Sequence, residues 1–215
     1  MNPHPRVVLP SQPYGGYIFD LDGTLVDSMP THYRAWRRAL RRHGAPPEAF
    51  RWTEFTAHGG MAAPDIVRDL NARYHLQMDP EQTAEDKRAA YAALLESEQL
   101  PVIPETAALV RRLHAAGIPY AIGTGSMLPG ALHTLRSAGL AALFSIIVTP
   151  GDVPPGRGKP QPDIFLLCAQ RMGVEAARCI VFEDAEPGLC AARAAGMAVC
   201  RVAPCPRPPE EEYLP

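Results

Sequence analysis

The second half of the chain repeats one pattern, and this pattern limits the folds that are open to it. From Pro104 onward, short apolar runs of strand length alternate with helical segments that end at glycine. The predicted strands are residues 119–123, 144–148, 179–182 and 197–202. The helices that precede or separate them end at Gly117, Gly139, Gly173 and Gly196. Strands that alternate with helices in this way favour a parallel sheet covered by helices, so we predict an α/β core.

A block of helical patterns interrupts this core near its start. The apolar run Gly16–Phe19 is predicted to be the first strand, but residues 30–100 that follow it show helical patterns and no strand signal. The expected helices in this block cover 31–43, a short segment within 48–55, and two segments starting at 64 and 80. Because the strand pattern resumes only after the block, we predict an all-helical cap inserted over the sheet edge at which the strands end. The predicted division is a core of residues 14–29 and 101–203, a cap of residues 30–100, and flexible tails at 1–13 and 204–215.

The composition excludes several classes of function. The net charge of −2 gives no reason to expect nucleic acid, whose binders usually carry a basic patch. No apolar run is long enough to cross a membrane, and residues 1–13 lack the apolar centre of a secretion signal. The five cysteines are odd in number and contain no Cys-x-x-Cys, which fits reduced thiols. We therefore expect a cytoplasmic monomer that binds neither nucleic acid nor a membrane.

Two pairs of acidic residues follow predicted strands. Asp20 and Asp22 come after the first strand, and Glu183 and Asp184 come after the strand at 179–182. In a parallel sheet with right-handed crossovers these strand ends share one edge, which is where ligands bind. Each pair alone could cap a turn or a helix. Together they indicate a site in which a hard cation such as Mg²⁺ neutralises the carboxylates.

Two further strand ends carry groups suited to an anion. The small residues of 123–126 allow backbone amides and a hydroxyl to approach an anion closely, although an ordinary strand-to-helix turn is the alternative. Lys159 is flanked by glycine and proline, so it is either a fixed positive charge or a solvated surface lysine. The segment is not a P-loop, because Val153 stands where the first glycine is required and Pro160 where serine or threonine is required.

These groups, in this order, resemble motifs I to IV of the haloacid dehalogenase-like hydrolases. The resemblance covers roughly residues 14–202 and is carried by the strings at 19–27, 123–126, 158–160 and 182–184. Within that family, residues 31–36 and 159–163 resemble the β-phosphoglucomutase-like branch. The strings at 165–174, 181–185 and 191–197 are similar to bacterial phosphatases that act on fructose 1-phosphate and 6-phosphogluconate. The resemblance implies a Rossmann-like parallel sheet whose helical insert is a C1 cap.

The resemblance also implies roles for the core residues. Asp20 would attack phosphorus and form an aspartyl phosphate, and Asp22 would be the general acid and base. Mg²⁺ would be held by Asp20, by Asp184 and by the backbone carbonyl of Asp22. Charge on the phosphoryl group would be offset by Lys159 and by the hydroxyl and amides near Thr124. Glu183 would orient a metal-bound water or steady Lys159.

The substrate is expected to be a small phosphorylated sugar, chosen by the cap. The candidate substrate-binding residues are His32, Trp36 and Lys87 of the cap and Gly125 and Ser126 of the core. Each cap residue has a structural alternative, because Trp36 could equally anchor the core of the cap, His32 could cap its helix and Lys87 could be solvated.

Three other functions stay open at this point. A β-phosphoglucomutase shares the core motifs, but residues 58–63 contain no arginine of the kind that holds the second phosphate in that enzyme. A receiver-type signalling domain would need its phosphorylated aspartate after the third strand, where no acid comes before Asp152. A haloacid dehalogenase does not need the second acid, Asp22. We therefore predict a Mg²⁺-dependent phosphatase for sugar phosphates such as fructose 1-phosphate.

Overall fold

A parallel β-sheet forms the centre of the molecule. The computed structural model describes residues 6–59 and 61–204. Within these residues the strands are β1 (Gly16–Phe19), β2 (Tyr120–Gly123), β3 (Ile147–Val148), β4 (Cys179–Glu183) and β5 (Ala198–Arg201). They lie in the order β3-β2-β1-β4-β5, and every pair is parallel. The α/β core predicted from the alternating pattern is confirmed.

Helices cover the sheet and form the insert. Between β1 and β2 lie α1 (Met29–Arg42), α2 (Trp52–Ala57), α3 (Ala63–Tyr74), α4 (Pro80–Leu95) and α5 (Pro104–Ala116). After β2 come α6 (Leu128–Ser137), α7 (Asp163–Met172) and α8 (Glu186–Ala194). None of the helices in the described residues is long and apolar enough to span a bilayer.

The two faces of the sheet bury separate apolar clusters, because successive strand residues point to opposite faces. One cluster joins Phe19, Ile122 and Phe182 to side chains of α5 and α6. The other joins Ile18, Ala121 and Val181 to side chains of α7 and α8. The sheet is therefore the middle layer of three, and its carboxyl edge is left for polar residues.

The third strand is shorter than predicted. The apolar run at 144–148 predicted a strand throughout, but only Ile147–Val148 pairs with β2 as a strand. Phe144 instead follows a 3₁₀ turn and packs its ring edge-on against Tyr120, with ring centroids 5.3 Å apart. β3 lies at the edge of the sheet, so only one neighbouring strand constrains its backbone.

The insert has a core of its own and two adjacent connections to the sheet. Its apolar cluster includes Tyr33, Trp36, Phe50, Phe55 and Leu70. The linkers that lead into and out of it run side by side, because Asp27 N donates to the carbonyl of Pro101 at 2.8 Å and Ile103 N donates to the carbonyl of Leu25 at 2.9 Å. We refer to residues 30–100 as the cap, following the predicted bounds.

The predicted N-terminal tail is partly packed. Val7 is 4% exposed and belongs to the core cluster on the α5 side, and Arg6 forms hydrogen bonds to the core. The proline content of residues 1–13 indicated a flexible tail, but the apolar side chain of Val7 gives this segment something to bury. The other parts of the two predicted tails, residues 1–5 and 205–215, lie outside the described residues.

Candidate active site

Carboxylates from two neighbouring strands meet at the carboxyl edge of the sheet. β1 and β4 pair through Phe19 and Phe182, so the residues that follow them leave the sheet side by side. Asp20, Glu183 and Asp184 each offer one carboxylate oxygen, and these oxygens lie within 4.8 Å of one another. Asp20 is 6% exposed and Glu183 is 1% exposed. Such a concentration of buried negative charge requires positive charge to offset it.

Lys159 supplies that charge. Its Nζ donates to Asp20 Oδ1 at 2.6 Å and to Glu183 Oε2 at 2.7 Å. Burial by itself would lower the pKa of this ammonium, but the two carboxylates outweigh burial and raise the pKa above its usual value. The pKa of Asp20 is raised, first by burial and next by repulsion from Glu183, while Lys159 acts against both. Among the described residues, Asp20 Oδ2 has no hydrogen-bond partner, which leaves this oxygen available to a ligand.

Glu183 has both of its carboxylate oxygens engaged by the protein. Oε2 accepts from Lys159, and Oε1 accepts from the backbone amides of Asp184 at 3.1 Å and Ala185 at 3.0 Å. The side chain lies against the first turn of α8, where Gly188 leaves room for it. A Cβ on Gly188 would lie 1.9 Å from Glu183 Oε2. Glu183 therefore holds Lys159 and the turn after β4 and has no free oxygen of its own.

Asp184 packs against the turn that follows β1. Thr24 Oγ1 donates to Asp184 Oδ1 at 3.1 Å. Gly23 has a φ of +89°, and a Cβ there would lie 2.3 Å from Asp184 Oδ2. Glycine is therefore required by both the backbone conformation and the space. Burial and repulsion from Glu183 raise the pKa of Asp184 to about 7, although the hydrogen bond from Thr24 acts in the opposite direction.

Asp22 points into a different set of partners. Its Oδ1 accepts from Ser28 Oγ at 2.6 Å and lies 3.1 Å from His32 Nε2, and its Oδ2 accepts from Ser126 Oγ at 2.7 Å. Burial would raise the pKa of Asp22, but the attraction of His32 and the three hydrogen bonds outweigh burial and hold the pKa below its usual value. Asp22 is therefore a carboxylate in this arrangement, surrounded by donors.

The cap reaches Asp22 through a chain of contacts. His32 Nδ1 lies 2.9 Å from Lys87 Nζ, and the His32 ring stacks on Tyr91 with centroids 3.8 Å apart. A lysine ammonium only donates and a carboxylate only accepts, so the consistent assignment is a neutral His32 with its proton on Nε2. Burial, and next the charge of Lys87, lower the pKa of His32, which agrees with a neutral ring. Lys87, His32 and Asp22 thus form one hydrogen-bonded line from α4 through α1 to the core.

The turn after β2 forms the remaining wall of the site. Thr124 is 1% exposed, and its Oγ1 accepts from the backbone amide of Ser126 at 3.0 Å. Its own amide donates to the carbonyl of Val148 at 3.0 Å, so the neighbouring strand fixes its position. Gly125 is exposed, with no described atom within 4 Å of a Cβ placed on it. The turn leaves the Thr124 hydroxyl proton and the backbone near Gly125 for an anion.

Asp20 and Asp184 fit the ligand set of a hard divalent cation. Both are carboxylates whose pKa is raised, because the protein offsets their charge only in part. An all-oxygen donor set suits Mg²⁺ or a similar cation. The structure therefore accommodates the predicted metal site at Asp20 and Asp184, while the backbone carbonyl of Asp22 stays a predicted ligand.

Comparisons with known proteins agree with this fold. The model of a family described as haloacid dehalogenase-like hydrolase matches residues 14–196. The chain belongs to the haloacid dehalogenase-like hydrolase family. The family and fold predicted from the motifs are thus confirmed, and with them the prediction of a hydrolase.

Relatives within the haloacid dehalogenase-like family include phosphatases. A fructose-1-phosphate phosphatase from Escherichia coli is 39% identical over 86% of this chain and 94% of its own. Hexitol phosphatase A, also from Escherichia coli, is 39% identical over 87% of this chain and 82% of its own. A crystal structure of β-phosphoglucomutase from Clostridium difficile has a TM-score of 0.74, covers 86% of this chain and 83% of its own, and is 24% identical, which shows the fold alone.

The structure brings the predicted site residues to this edge in two sets of contacts, with Trp36 behind them in the cap. The first set is Asp20, Lys159, Glu183 and Asp184. The second set is Asp22, His32, Lys87, Thr124 and Ser126, and Gly125 lies in the turn between the last two. Trp36 is 3% exposed and packs against Phe50 in the cap, with ring centroids 5.6 Å apart. Its ring centroid lies 5.8 Å from Lys87 Nζ, so Trp36 supports Lys87 from within the cap.

Sequence reasoning missed several residues of the site. Ser28 is the residue before α1, and its hydroxyl donates to Asp22 and makes no cap hydrogen bond. Tyr91 of α4 stacks on His32, a contact between two helices that helical spacing does not reveal. Gly188 carried no expectation, because a glycine inside a helix gives no signal of what lies against it.

Proposed function

We propose that this protein is a Mg²⁺-dependent phosphatase that hydrolyses small sugar phosphates through an aspartyl phosphate on Asp20. The observation that carries the proposal is the division of labour between the two aspartates. Asp20 lies with Lys159 and Asp184 and keeps one oxygen that has no partner in the described part of the chain, whereas Asp22 is held by its own donors. Two carboxylates in different surroundings can perform different chemical roles.

The proposed reaction has two steps. A carboxylate oxygen of Asp20 attacks phosphorus, the bond to the sugar oxygen breaks, and that oxygen takes a proton from Asp22. A water molecule then attacks the aspartyl phosphate and gives a proton back to Asp22, which releases phosphate and restores Asp20. Lys159 and the Thr124 hydroxyl are proposed to offset charge on the phosphoryl oxygens. Asp20 and Asp184 would hold a divalent cation, which would supply further positive charge to the phosphoryl group.

Asp22 must gain a proton before it can act as an acid. In the structure its pKa is held low by His32, Ser28 and Ser126, so it is ionised. A phosphate dianion beside Asp22 would raise this pKa by repulsion. We propose that substrate binding itself prepares Asp22 for proton donation, and that the contact from His32 makes this change depend on the position of the cap.

The cap contributes the proposed sugar contacts. His32 and Lys87 lie at the core side of the cap, and 12% of the His32 side chain is exposed. Together with Gly125 and Ser126 of the core, they are proposed to contact the hydroxyl groups of the sugar. The names of the two Escherichia coli relatives support a six-carbon sugar or sugar-alcohol phosphate as substrate. Trp36 is proposed to act through Lys87. We further propose that the protein works as a monomer in the cytoplasm, which agrees with four free cysteines among the described residues.

A screen of phosphate release tests the proposal. Fructose 1-phosphate, hexitol phosphates, 6-phosphogluconate and glucose 6-phosphate would each be incubated with and without Mg²⁺. Release from at least one sugar phosphate that requires Mg²⁺ is the expected result, and no release from any of them would refute the proposal. β-Glucose 1-phosphate with a bisphosphate activator distinguishes a mutase, which would form glucose 6-phosphate without releasing an equal amount of phosphate.

A further inference from the structure

Arg6 lies upstream of the segment that matches the family, and it contacts the turn that carries the site. Its Nη2 donates to the carbonyl of Gly23 at 3.1 Å, and its Nε donates to the carbonyl of Ala203 at 3.0 Å. Its Nη1 lies 3.1 Å from Asp27 Oδ1. One side chain therefore joins the turn after β1, the linker into the cap and the segment after β5.

The segment that carries Arg6 is itself fixed to the core. The Arg6 amide donates to Glu105 Oε1 at 3.1 Å, and its carbonyl accepts from the amide of Ala203 at 2.6 Å. The next residue, Val7, is buried in the core cluster. Only 11% of the Arg6 side chain is exposed, so the guanidinium is held in one place and is not a solvated surface charge.

The turn that Arg6 contacts determines where the site residues lie. Gly23 N donates to the carbonyl of Val26 at 2.8 Å, and Asp27 N donates to the carbonyl of Pro101, so the turn and both cap linkers form one hydrogen-bonded unit. Asp27 Oδ1 is buried and accepts no hydrogen bond from the described residues. The positive charge of the Arg6 guanidinium, 3.1 Å away, offsets the negative charge of this oxygen. Without such a charge nearby, a buried carboxylate oxygen would destabilise the fold.

We propose that Arg6 is a positioning residue, which holds Gly23 and Asp27 so that Asp22 and Asp184 keep their places when the cap moves. Gly23 follows Asp22 in the chain and lies against the carboxylate of Asp184. Asp27 lies in the linker that leads into the cap. A planar guanidinium holds its donors in a fixed fork that can span two carbonyls and a carboxylate, whereas the donors of a lysine converge on a single nitrogen. The predicted effect on rate rests on the proposed phosphatase activity, whereas the predicted effect on the turn does not.

The test compares Arg6→Ala with Arg193→Ala. Arg193 is a matched control, because its Nη1 also lies 3.1 Å from a carboxylate, that of Glu186, but its side chain is 57% exposed. Hydrogen exchange would be followed at the amides of residues 23–27 and, for comparison, at those of β4. Arg6→Ala should speed exchange at 23–27 and leave β4 unchanged, and Arg193→Ala should change neither.

Kinetics on the best substrate of the wild-type protein complete the test. For Arg6→Ala, kcat should fall roughly 10- to 100-fold with little change in KM, because misplaced groups slow the chemical step without removing substrate contacts. Arg6→Lys keeps the charge but not the planar fork, so its kcat should lie between those of Arg6→Ala and the wild type. If Arg6→Ala does not fold, Arg6→Lys takes its place in both measurements.

Either of two results would overturn the inference: unchanged exchange at 23–27, or equal loss of protection in β4, which would indicate general destabilisation. A wild-type protein that releases no phosphate, together with faster exchange at 23–27 in the variant, would refute the proposed function and leave the role of Arg6 in the turn intact.

Discussion

Replacing Gly188 by alanine should damage both stability and turnover, although this change usually stabilises a helix. Gly188 is the third residue of α8, where alanine is intrinsically better than glycine by about 1 kcal/mol. A Cβ there would lie 1.9 Å from Glu183 Oε2 and 2.2 Å from Glu183 Cδ, whereas ordinary contact begins at 3.4 Å. Because Glu183 is 1% exposed and has both oxygens hydrogen-bonded, it cannot swing away as a surface side chain would.

The size of the effect follows from what must move. Overpacking a core costs about 1–3 kcal/mol, and breaking the buried contact between Glu183 and Lys159 costs about 3–5 kcal/mol. After the gain in helix propensity of about 1 kcal/mol is subtracted, the free energy of unfolding should fall by about 3–7 kcal/mol. For a chain of this length that is a fall in Tm of roughly 6–28 °C. Because Lys159 also holds Asp20, kcat should fall about 100-fold.

Gly130→Ala is the matched control. Gly130 is also the third residue of its helix, α6, and it follows Pro129 as Gly188 follows Pro187. No described atom lies within 4 Å of a Cβ at Gly130, so this variant should gain about 0.5–1 kcal/mol and keep its activity. Calorimetry and phosphate release would be measured on both variants. If Gly188→Ala were as stable as Gly130→Ala and as active as the wild type, the reasoning about Glu183 would be refuted.

Three further predictions concern the chemistry. Asp20→Asn should abolish phosphate release while the circular dichroism spectrum stays that of the wild type, and near-normal release would show that Asp20 is not the nucleophile. Chelation with EDTA should abolish activity, and added Mg²⁺ should restore it; activity that survives exhaustive chelation would contradict the metal site. Burial lowers the pKa of Lys87 to about 8, against the attraction of Asp22, so this cation is present below pH 8 and lost above it. A plot of kcat/KM against pH should therefore fall above about pH 8, and Lys87→Met should lower kcat/KM at pH 7 by about 10- to 100-fold and remove this limb. A Lys87→Met variant that keeps the wild-type pH profile would show that Lys87 does not control it.

The core of the site was accessible from the sequence because its residues share a simple rule of placement. Asp20, Thr124 and Glu183 come directly after predicted strands, Lys159 lies in the longer loop that follows the strand at 144–148, and parallel pairing brings strand ends together. The register of β1 and β4 then explains why Asp20 meets Glu183 and Asp184.

The cap residues were harder to predict, because helices constrain neighbours three or four positions apart and say little about other helices. His32 and Lys87 are 55 positions apart and meet only because α1 packs against α4. Trp36, four positions beyond His32 on the same helix, packs instead with Tyr33 in the apolar cluster of the cap. The short length of β3 could not be predicted either, since the pattern at 144–148 does not show which of its residues pair with the next strand.

The adjacent linkers of the cap have a consequence for how such a chain can diversify. Because the chain leaves the core after Leu25 and returns to it at Ile103, and these two points are hydrogen-bonded to each other, an insert of another length or shape could occupy the same gap without altering strand register. Under the proposed function, exchanging the insert at this one pair of linkers would change substrate preference while the strand ends that carry Asp20 and Asp184 stay as they are.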